Sequence, residues 1–331
     1  MDANQLIGRY EAGERNFRGI NLIGANLEGA YLEGADFSEA YLAAANLSRA
    51  HLTGANFRGA FLHRTNLSFA KINEVILTEA DLTKANLQGA SLVKSILVGA
   101  KLSGAILIAV NLRLANLQGV NLCGADLRGI NFRAANLVDA NLNWANLTGA
   151  RLSGALLRGA MLNGVKLSKA WLNGVDLNSI DLDGVNMSES KMSGANLSGA
   201  NLSASNLSYT QLRVSMLARA NLHAANLTAA TLTKADLCEA NLSKADLTQA
   251  NLSQADLTGA NLNMANLSEA DLSEASLRGA YLWGANFNVA KLRKADLSGA
   301  SLRGAYMERS ELQWPEAILC GATMPDGSRH N

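Results

Sequence analysis

The sequence predicts an all-β solenoid in which the chain winds as a four-sided coil. Every fifth residue from Phe17 to Leu312 is apolar, in sixty consecutive five-residue units without a change of phase. A small residue, usually Ala, stands two positions before most of these apolar residues. Asn, Ser and Gly recur throughout the units, which disfavours helix and favours turns. A fixed period of this kind is the signature of a repeat architecture.

A period of five fits neither regular element. On an α-helix, steps of five residues rotate by about 140° and would spread the apolar residues around the whole helix. On a flat strand, an odd spacing would send successive apolar residues to opposite faces. A square coil satisfies the pattern, because each unit forms one side and four units complete a turn of about 20 residues. The apolar and small residues then point inward, and sixty units give about 15 turns.

Both ends of such a coil need covering, since they expose unpaired backbone groups and the apolar interior. The first residues, 2–12, predict a short capping helix with Asp2 as N-cap and Gly13 as its stop. Near the other end the repeat restarts two residues late after Trp314, which we expect to cover the last turn. The predicted division is an N-terminal cap over 1–15, one repeat domain over 16–313, and a C-terminal cap and tail over 314–331.

The same pattern predicts a protein without enzymatic activity. Catalysis needs polar groups that converge in a concave site, whereas a square coil is convex outside and filled with Leu and Ala inside. The four His residues show no metal-ligand spacing to each other or to a Cys. We therefore expect no catalytic, cofactor-binding or metal-binding residues. We also expect no membrane span and a cytoplasmic location, because no signal peptide is visible and three scattered Cys favour a reducing compartment.

Surface chemistry offers one candidate for a binding site. Residues 20 apart should stack in columns about 4.8 Å apart, and residues 81–170 combine ten basic residues against three acidic ones with apolar outward positions. Such a patch is typical of a protein-binding surface, although drift on a tolerant surface explains it equally well. A Trp between two cations in one column is either a local cation–π stack or part of this surface. The candidate residues are Val93, Val98, Ile108, Arg113, Leu114, Arg133, Arg151, Trp171 and Lys191.

The repeat Ala-(Asp/Asn)-Leu-X-X resembles that of the pentapeptide-repeat proteins. It is found, for example, at Ala25–Leu27, Ala85–Leu87 and Ala255–Leu257. The resemblance covers about residues 16–313 and implies a right-handed quadrilateral β-helix. The segments Tyr10–Leu22 and Ala322–Gly327 are similar to those of cyanobacterial members. In some members the C-terminal end is a homodimer contact, which is the alternative role for the region of Trp314.

Two functions from different classes follow from this resemblance. The first is a scaffold or regulator that presents rigid sides to an unidentified protein partner, as some cyanobacterial relatives do with regulators of heterocyst differentiation. The alternative is a DNA mimic that binds DNA gyrase, as in the fluoroquinolone-resistance branch. A duplex mimic should carry dense negative charge, whereas this chain has 29 basic and 28 acidic residues. Near-neutral charge disfavours the mimic, and it also disfavours direct binding of nucleic acid.

Overall fold

The computed structural model describes residues 1–307 and 316–331. These residues form two compact units, Met1–Lys166 and Leu167–Asn331, and each unit is considered by itself. Trp314 lies outside the described residues, so its predicted covering role stays a prediction. The count of about 15 turns includes Leu312, which also lies outside them, and stays a prediction for the same reason.

The N-terminal unit begins with a helix, α1, at Ala3–Glu11, within the predicted span. Asp2 caps it, because its carboxylate accepts from the Gln5 N–H at 2.8 Å while the Gln5 side chain accepts from the Asp2 N–H at 3.1 Å. Leu6 is fully buried. The Tyr10 hydroxyl donates to the Glu33 carbonyl at 2.8 Å. These contacts attach α1 to the repeats that follow.

After α1 the chain winds with a constant step of 20 residues. Parallel bridges join residues one turn apart, from Asn16 and Asp36 at the start of the N-terminal unit to Asn146 and Lys166 at its end. Each five-residue unit contributes one bridging residue, directly before the central apolar residue. The β-structure of the described residues therefore consists of isolated bridges between successive turns.

Backbone groups of each unit are paired between turns in a repeated pattern. The Leu22 and Gly24 N–H groups donate to carbonyls one turn ahead, at 2.8 and 2.9 Å, and the Tyr41 N–H donates one turn back to Ile20 at 2.8 Å. The Ala25 N–H closes a turn on the Leu22 carbonyl at 3.0 Å. Four donors in each unit are thus satisfied internally, which a buried backbone requires.

A positive φ two residues after the central residue turns the chain from one side to the next. Gly often occupies this corner position, as Gly89 does at φ 67°. Other residues adopt the same conformation, such as Glu39 at φ 57° and Leu114 at φ 61°. L-residues pay a conformational cost there, so the corners are held by the hydrogen bonds on both sides of them.

The interior of the N-terminal unit is a stack of central and small residues. Phe17, Phe37 and Phe57 lie on successive turns, with ring centroids 5.5 and 5.2 Å apart. Two hydroxyl residues replace the small Ala. Thr65 and Ser95 are fully buried and donate to backbone carbonyls at 2.8 and 3.0 Å, so neither hydroxyl is left without a partner.

The C-terminal unit repeats the same winding up to a shift in register. Its bridges join residues 20 apart until Asp296, which pairs with Ile318, a step of 22 residues that reflects the late restart of the repeat. We predicted a polar tail beyond this point, and the structure is more ordered than that. Thr323 forms an antiparallel bridge with Arg329, and the His330 N–H donates to the Ala322 carbonyl at 2.8 Å. The last residues therefore pair along the edge of the final turn.

Candidate interaction surface

One side of the N-terminal unit collects most of the predicted site residues. It consists of residues 91–94, 111–114, 131–134 and 151–154, which we call the arginine face. Parallel bridges set its register, because Ser91 pairs with Asn111, Asn111 with Asn131, and Asn131 with Arg151. The 20-residue step places Val93, Arg113 and Arg133 at the same position of three successive turns.

A short ladder of Asn side chains holds the backbone of this face. The Asn131 amide donates to the Asn111 side-chain oxygen at 3.0 Å. Each of these oxygens also accepts from the N–H of the arginine two residues later, at 3.3 Å for Arg113 and 3.2 Å for Arg133. The sequence folds this way because Asn readily bonds the backbone two residues on. The arginines therefore extend from a fixed backbone.

Arg113, Arg133 and Arg151 carry charge that the described residues do not neutralise. All three are exposed, and none forms a side-chain ion pair or hydrogen bond within residues 1–307 and 316–331. The four segments of the arginine face contain no Asp or Glu. This face therefore presents three unpaired guanidinium groups.

Nearby cations behave differently. Arg128 pairs with Asp126 at 2.6 Å, and this hydrogen bond lowers the pKa of the Asp126 carboxyl despite partial burial. Lys94, on the arginine face itself, reaches Glu74 of the preceding turn at 3.9 Å. Two of the ten basic residues counted in the sequence are thus compensated, and the unpaired charge is concentrated at the arginines.

Apolar side chains lie beside the arginines. Leu114, at the corner where the chain leaves the arginine face, is 43% exposed, while Val93 is half-buried. Val98 and Ile108 are also half-buried and lie on the two sides that flank this face, so the predicted patch extends over three sides.

Two apolar residues that the sequence analysis missed are more exposed than either of these. Ile96 is 41% exposed and Ile106 is 40% exposed. Both stand at the bridging position, which Asn or Asp usually occupies. That departure from the repeat was the signal that could have identified them.

Trp171 and Lys191 belong to the C-terminal unit. The Lys191 ammonium lies 3.8 Å from the centroid of the Trp171 ring, which is the local cation–π contact expected for this column. Arg151, the third member of the predicted stack, belongs to the N-terminal unit. The contact between Trp171 and Lys191 thus satisfies this pair within one unit.

A Ser and a His approach each other in the C-terminal unit without the geometry of a nucleophile and its base. His223 Nδ1 lies 2.8 Å from Ser243 Oγ, and Ser243 donates its proton to the Asn241 side-chain oxygen at 2.7 Å. Because that hydroxyl has a single proton, Nδ1 of His223 is the donor to Ser243. The three side chains form a chain of hydrogen bonds that leaves Ser243 without a general base.

Cys238 lies in a shallow groove with Arg219, Asp236 and Glu239. Burial, together with the negative charges of Asp256 and Glu239, raises the pKa of its thiol. The thiolate is therefore poorly populated, which makes Cys238 a weak nucleophile. Among the described residues, no group of three or more His, Cys, Asp or Glu side chains is arranged to hold a metal ion. No helix in the same residues is long and apolar enough to cross a bilayer.

The winding and its five-residue period define a β-helical repeat protein. The family described as "Pentapeptide repeats (8 copies)" matches ten overlapping segments of the chain between residues 16 and 309. The chain therefore belongs to the pentapeptide-repeat family, whose fold is a right-handed quadrilateral β-helix. Comparison with curated proteins returns no significant match.

Three solved structures illustrate the similarity. Rfr23, from the cyanobacterium Cyanothece 51142, is 43% identical over 27% of this chain, with a TM-score of 0.27; the match spans less than two thirds of that protein, 62%. HetL, involved in heterocyst differentiation regulation in Nostoc sp. strain PCC 7120, is 31% identical over 100% of both chains, with a TM-score of 0.17. A protein of the Arabidopsis thaliana thylakoid lumen is 32% identical over 35% of this chain and 70% of its own, with a TM-score of 0.24. The sequence relatives thus include cyanobacterial members, as the resemblance implied.

Proposed function

We propose that this protein is a non-enzymatic scaffold or regulator that docks a protein partner on its arginine face. The observation that carries the proposal is the row of unpaired Arg113, Arg133 and Arg151 beside the exposed Leu114. Other exposed cations of this unit, such as Arg18 and Arg49, pair with carboxylates one turn away at 2.7 and 3.1 Å. Unpaired guanidinium groups beside apolar surface are common where proteins bind each other.

Affinity capture from native lysate tests this proposal. The full-length protein is compared with the variant Arg113→Glu/Arg133→Glu, which reverses the charge of the arginine face. The matched control is Arg64→Glu/Lys84→Glu, which reverses two cations that also lie 20 residues apart but on another side. We expect the first variant alone to lose a captured protein, whose direct binding is then measured with purified components. Capture that is the same for all three proteins would contradict the proposal.

The DNA-mimic alternative rests on an acidic column in the C-terminal unit. Asp236 and Asp256 are bridged to each other, but Ser276 separates them from Asp296. Asp296 in turn pairs with Arg278 at 3.3 Å. Such a column is too short and too compensated to resemble a duplex. We expect the protein at micromolar concentration to leave gyrase supercoiling unchanged, and inhibition would favour the alternative.

Location and assembly belong to the same proposal. We infer a cytoplasmic location, which the three free thiols of Cys123, Cys238 and Cys320 support, since such thiols persist in reducing compartments. The three-part division at residues 15 and 313 and the homodimer through the C-terminal end stay predictions. Light scattering of the purified protein measures the oligomeric state directly.

A further inference from the structure

We propose that the arginine face recognises an acidic amphipathic α-helix of the partner, lying along the column of Arg113 and Arg133. The acidic stripe of this helix contacts the guanidinium groups, and its apolar stripe covers Leu114 and Ile96. This inference rests on the proposed function, because it names the partner of the same surface.

The spacing of the arginines fits one residue per turn of an α-helix. Arg113 and Arg133 occupy the same position of bridged turns, which lie about 4.8 Å apart. An α-helix rises about 5.4 Å per turn, so side chains three or four residues apart keep pace with successive turns of the coil. Residues on one face of an extended strand are about 6.8 Å apart and fall behind by a larger step. The column therefore favours a helix over a strand.

Charge determines the sign of the partner. Three guanidinium groups lie on a face without any carboxylate, and Arg151 follows in the bridge of the next turn. Arginine forms bidentate hydrogen bonds with carboxylates, which adds geometric selectivity to the attraction. A row of Glu or Asp side chains, one per helical turn, supplies the missing partners.

The apolar residues determine where the second stripe of the helix lies. Leu114 stands directly after Arg113 at the corner, and Ile96 lies just beyond the same corner on the adjacent side. Both are more than 40% exposed. A nucleic acid would leave these side chains in contact with phosphates, whereas an amphipathic helix buries them with Leu or Ile of its own. The combination of arginines and apolar residues thus favours a protein helix.

Fluorescence anisotropy with synthetic peptides tests this inference on the full-length protein. The probe is a labelled peptide of about 21 residues, long enough to be helical, with one stripe of Glu and an adjacent stripe of Leu. One control peptide has the same composition with Glu spread around the helix. A second keeps the stripes but carries a central Pro that breaks the helix. Duplex DNA of equal charge is the fourth probe.

We expect the striped peptide to bind at least about tenfold more tightly than each control peptide at about 0.15 M salt. Arg113→Glu/Arg133→Glu should weaken this binding by at least about tenfold, while Arg64→Glu/Lys84→Glu should change it by less than about twofold. Equal binding of the striped and spread peptides would overturn the inference. Equal binding of the Pro-containing peptide, or tighter binding of the DNA, would do the same.

The two proposals can fail separately. If the captured partner depends on Arg113 and Arg133 but the striped peptide does not bind, the helix inference is wrong and the scaffold function stands. If capture does not depend on these arginines, the proposed function is wrong, and peptide binding then reports only charge. Circular dichroism checks that both double variants keep the melting temperature of the parent protein, as substitutions of exposed side chains should.

Discussion

The ring of Phe69 lies over Gly89, so close that a Cβ at residue 89 would meet Cδ1 and Cε1 of the ring at 2.6 Å. Both are corner residues of successive turns, with φ values of 57° and 67°. A large side chain over a glycine 20 residues later recurs in two other pairs, Trp144 with Gly164 and Met264 with Gly284. Glycine at these corners therefore has a packing role in addition to its conformational one.

Gly89→Ala should cost more stability than a corner glycine with free space around it. The substitution strains the backbone at positive φ and displaces the Phe69 ring, so we expect a loss of about 2 kcal/mol in the free energy of unfolding. Gly124→Ala is the matched control, because φ is 65° there and a Cβ would meet nothing within 4 Å. It should cost about 1 kcal/mol. Urea unfolding measures both, and equal losses would contradict the steric explanation.

The pair can also be tested by a double-mutant cycle. Phe69→Ala removes the ring, so Gly89→Ala in that background should cost only the backbone term of about 1 kcal/mol. An unchanged cost would mean that Phe69 moves aside freely.

Ser190→Ala should stabilise the C-terminal unit. Ser190 is fully buried, and its hydroxyl has no hydrogen-bond partner. Removing an unsatisfied buried hydroxyl while keeping the Cβ should gain about 1 kcal/mol. Ser205→Ala is the control, since Ser205 is equally buried but donates to the Leu202 carbonyl at 2.7 Å. We expect that change to be neutral or destabilising, and a Ser190→Ala variant that unfolds at lower urea than the parent would refute the prediction.

Leu137→Asp should unfold the turns around it. Leu137 is completely buried at a central position, and a carboxylate there would have no partner. We expect a loss of about 3–5 kcal/mol. Val138→Asp, one residue later and facing outward, should change stability by about 0.5 kcal/mol. The β signal and the melting temperature in circular dichroism distinguish the two, and a Leu137→Asp variant that melts like the parent protein would contradict the inward position of the repeat leucines.

Asp126 should make stability depend on pH through its bond with Arg128. A carboxyl whose pKa is lowered by folding stabilises the protein above its unfolded pKa, and this contribution is lost as the pH falls through the folded pKa. Because the pair is partly exposed, Asp126→Asn should cost only about 0.5 kcal/mol at pH 7 and nothing near pH 2. Urea unfolding at both pH values provides the measurement. In an Arg128→Gln background the difference at pH 7 should shrink, and a difference that persists would assign the effect to another group.

Most of the fold could be predicted from the sequence, because the repeat places an apolar residue inside the coil every five positions. The same reasoning located the stack of Tyr41 on Phe61, whose ring centroids lie 4.9 Å apart. It missed the pairing of Thr323 with Arg329, since the tail follows no period. The repeat also gave no warning that Ser190 would be buried without a partner.

The candidate site could be predicted only in outline. The column of Val93, Arg113 and Arg133 follows from the 20-residue step, which depends on residue numbers alone. Ion pairing does not, because Arg128 bends back to Asp126 within its own unit while Arg49 reaches Glu28 of the preceding turn. A count of basic residues therefore overestimates the charge that is free to bind a partner.

The five-residue period by itself determined that this chain winds into four-sided turns and which residues point inward, because that information is local and repeats in every unit. Only the tertiary structure decided which arginines stay unpaired and which side chain lies over which glycine. Those outcomes depend on the direction that each side chain takes towards the next turn, and neighbouring turns are joined by residues 20 positions apart.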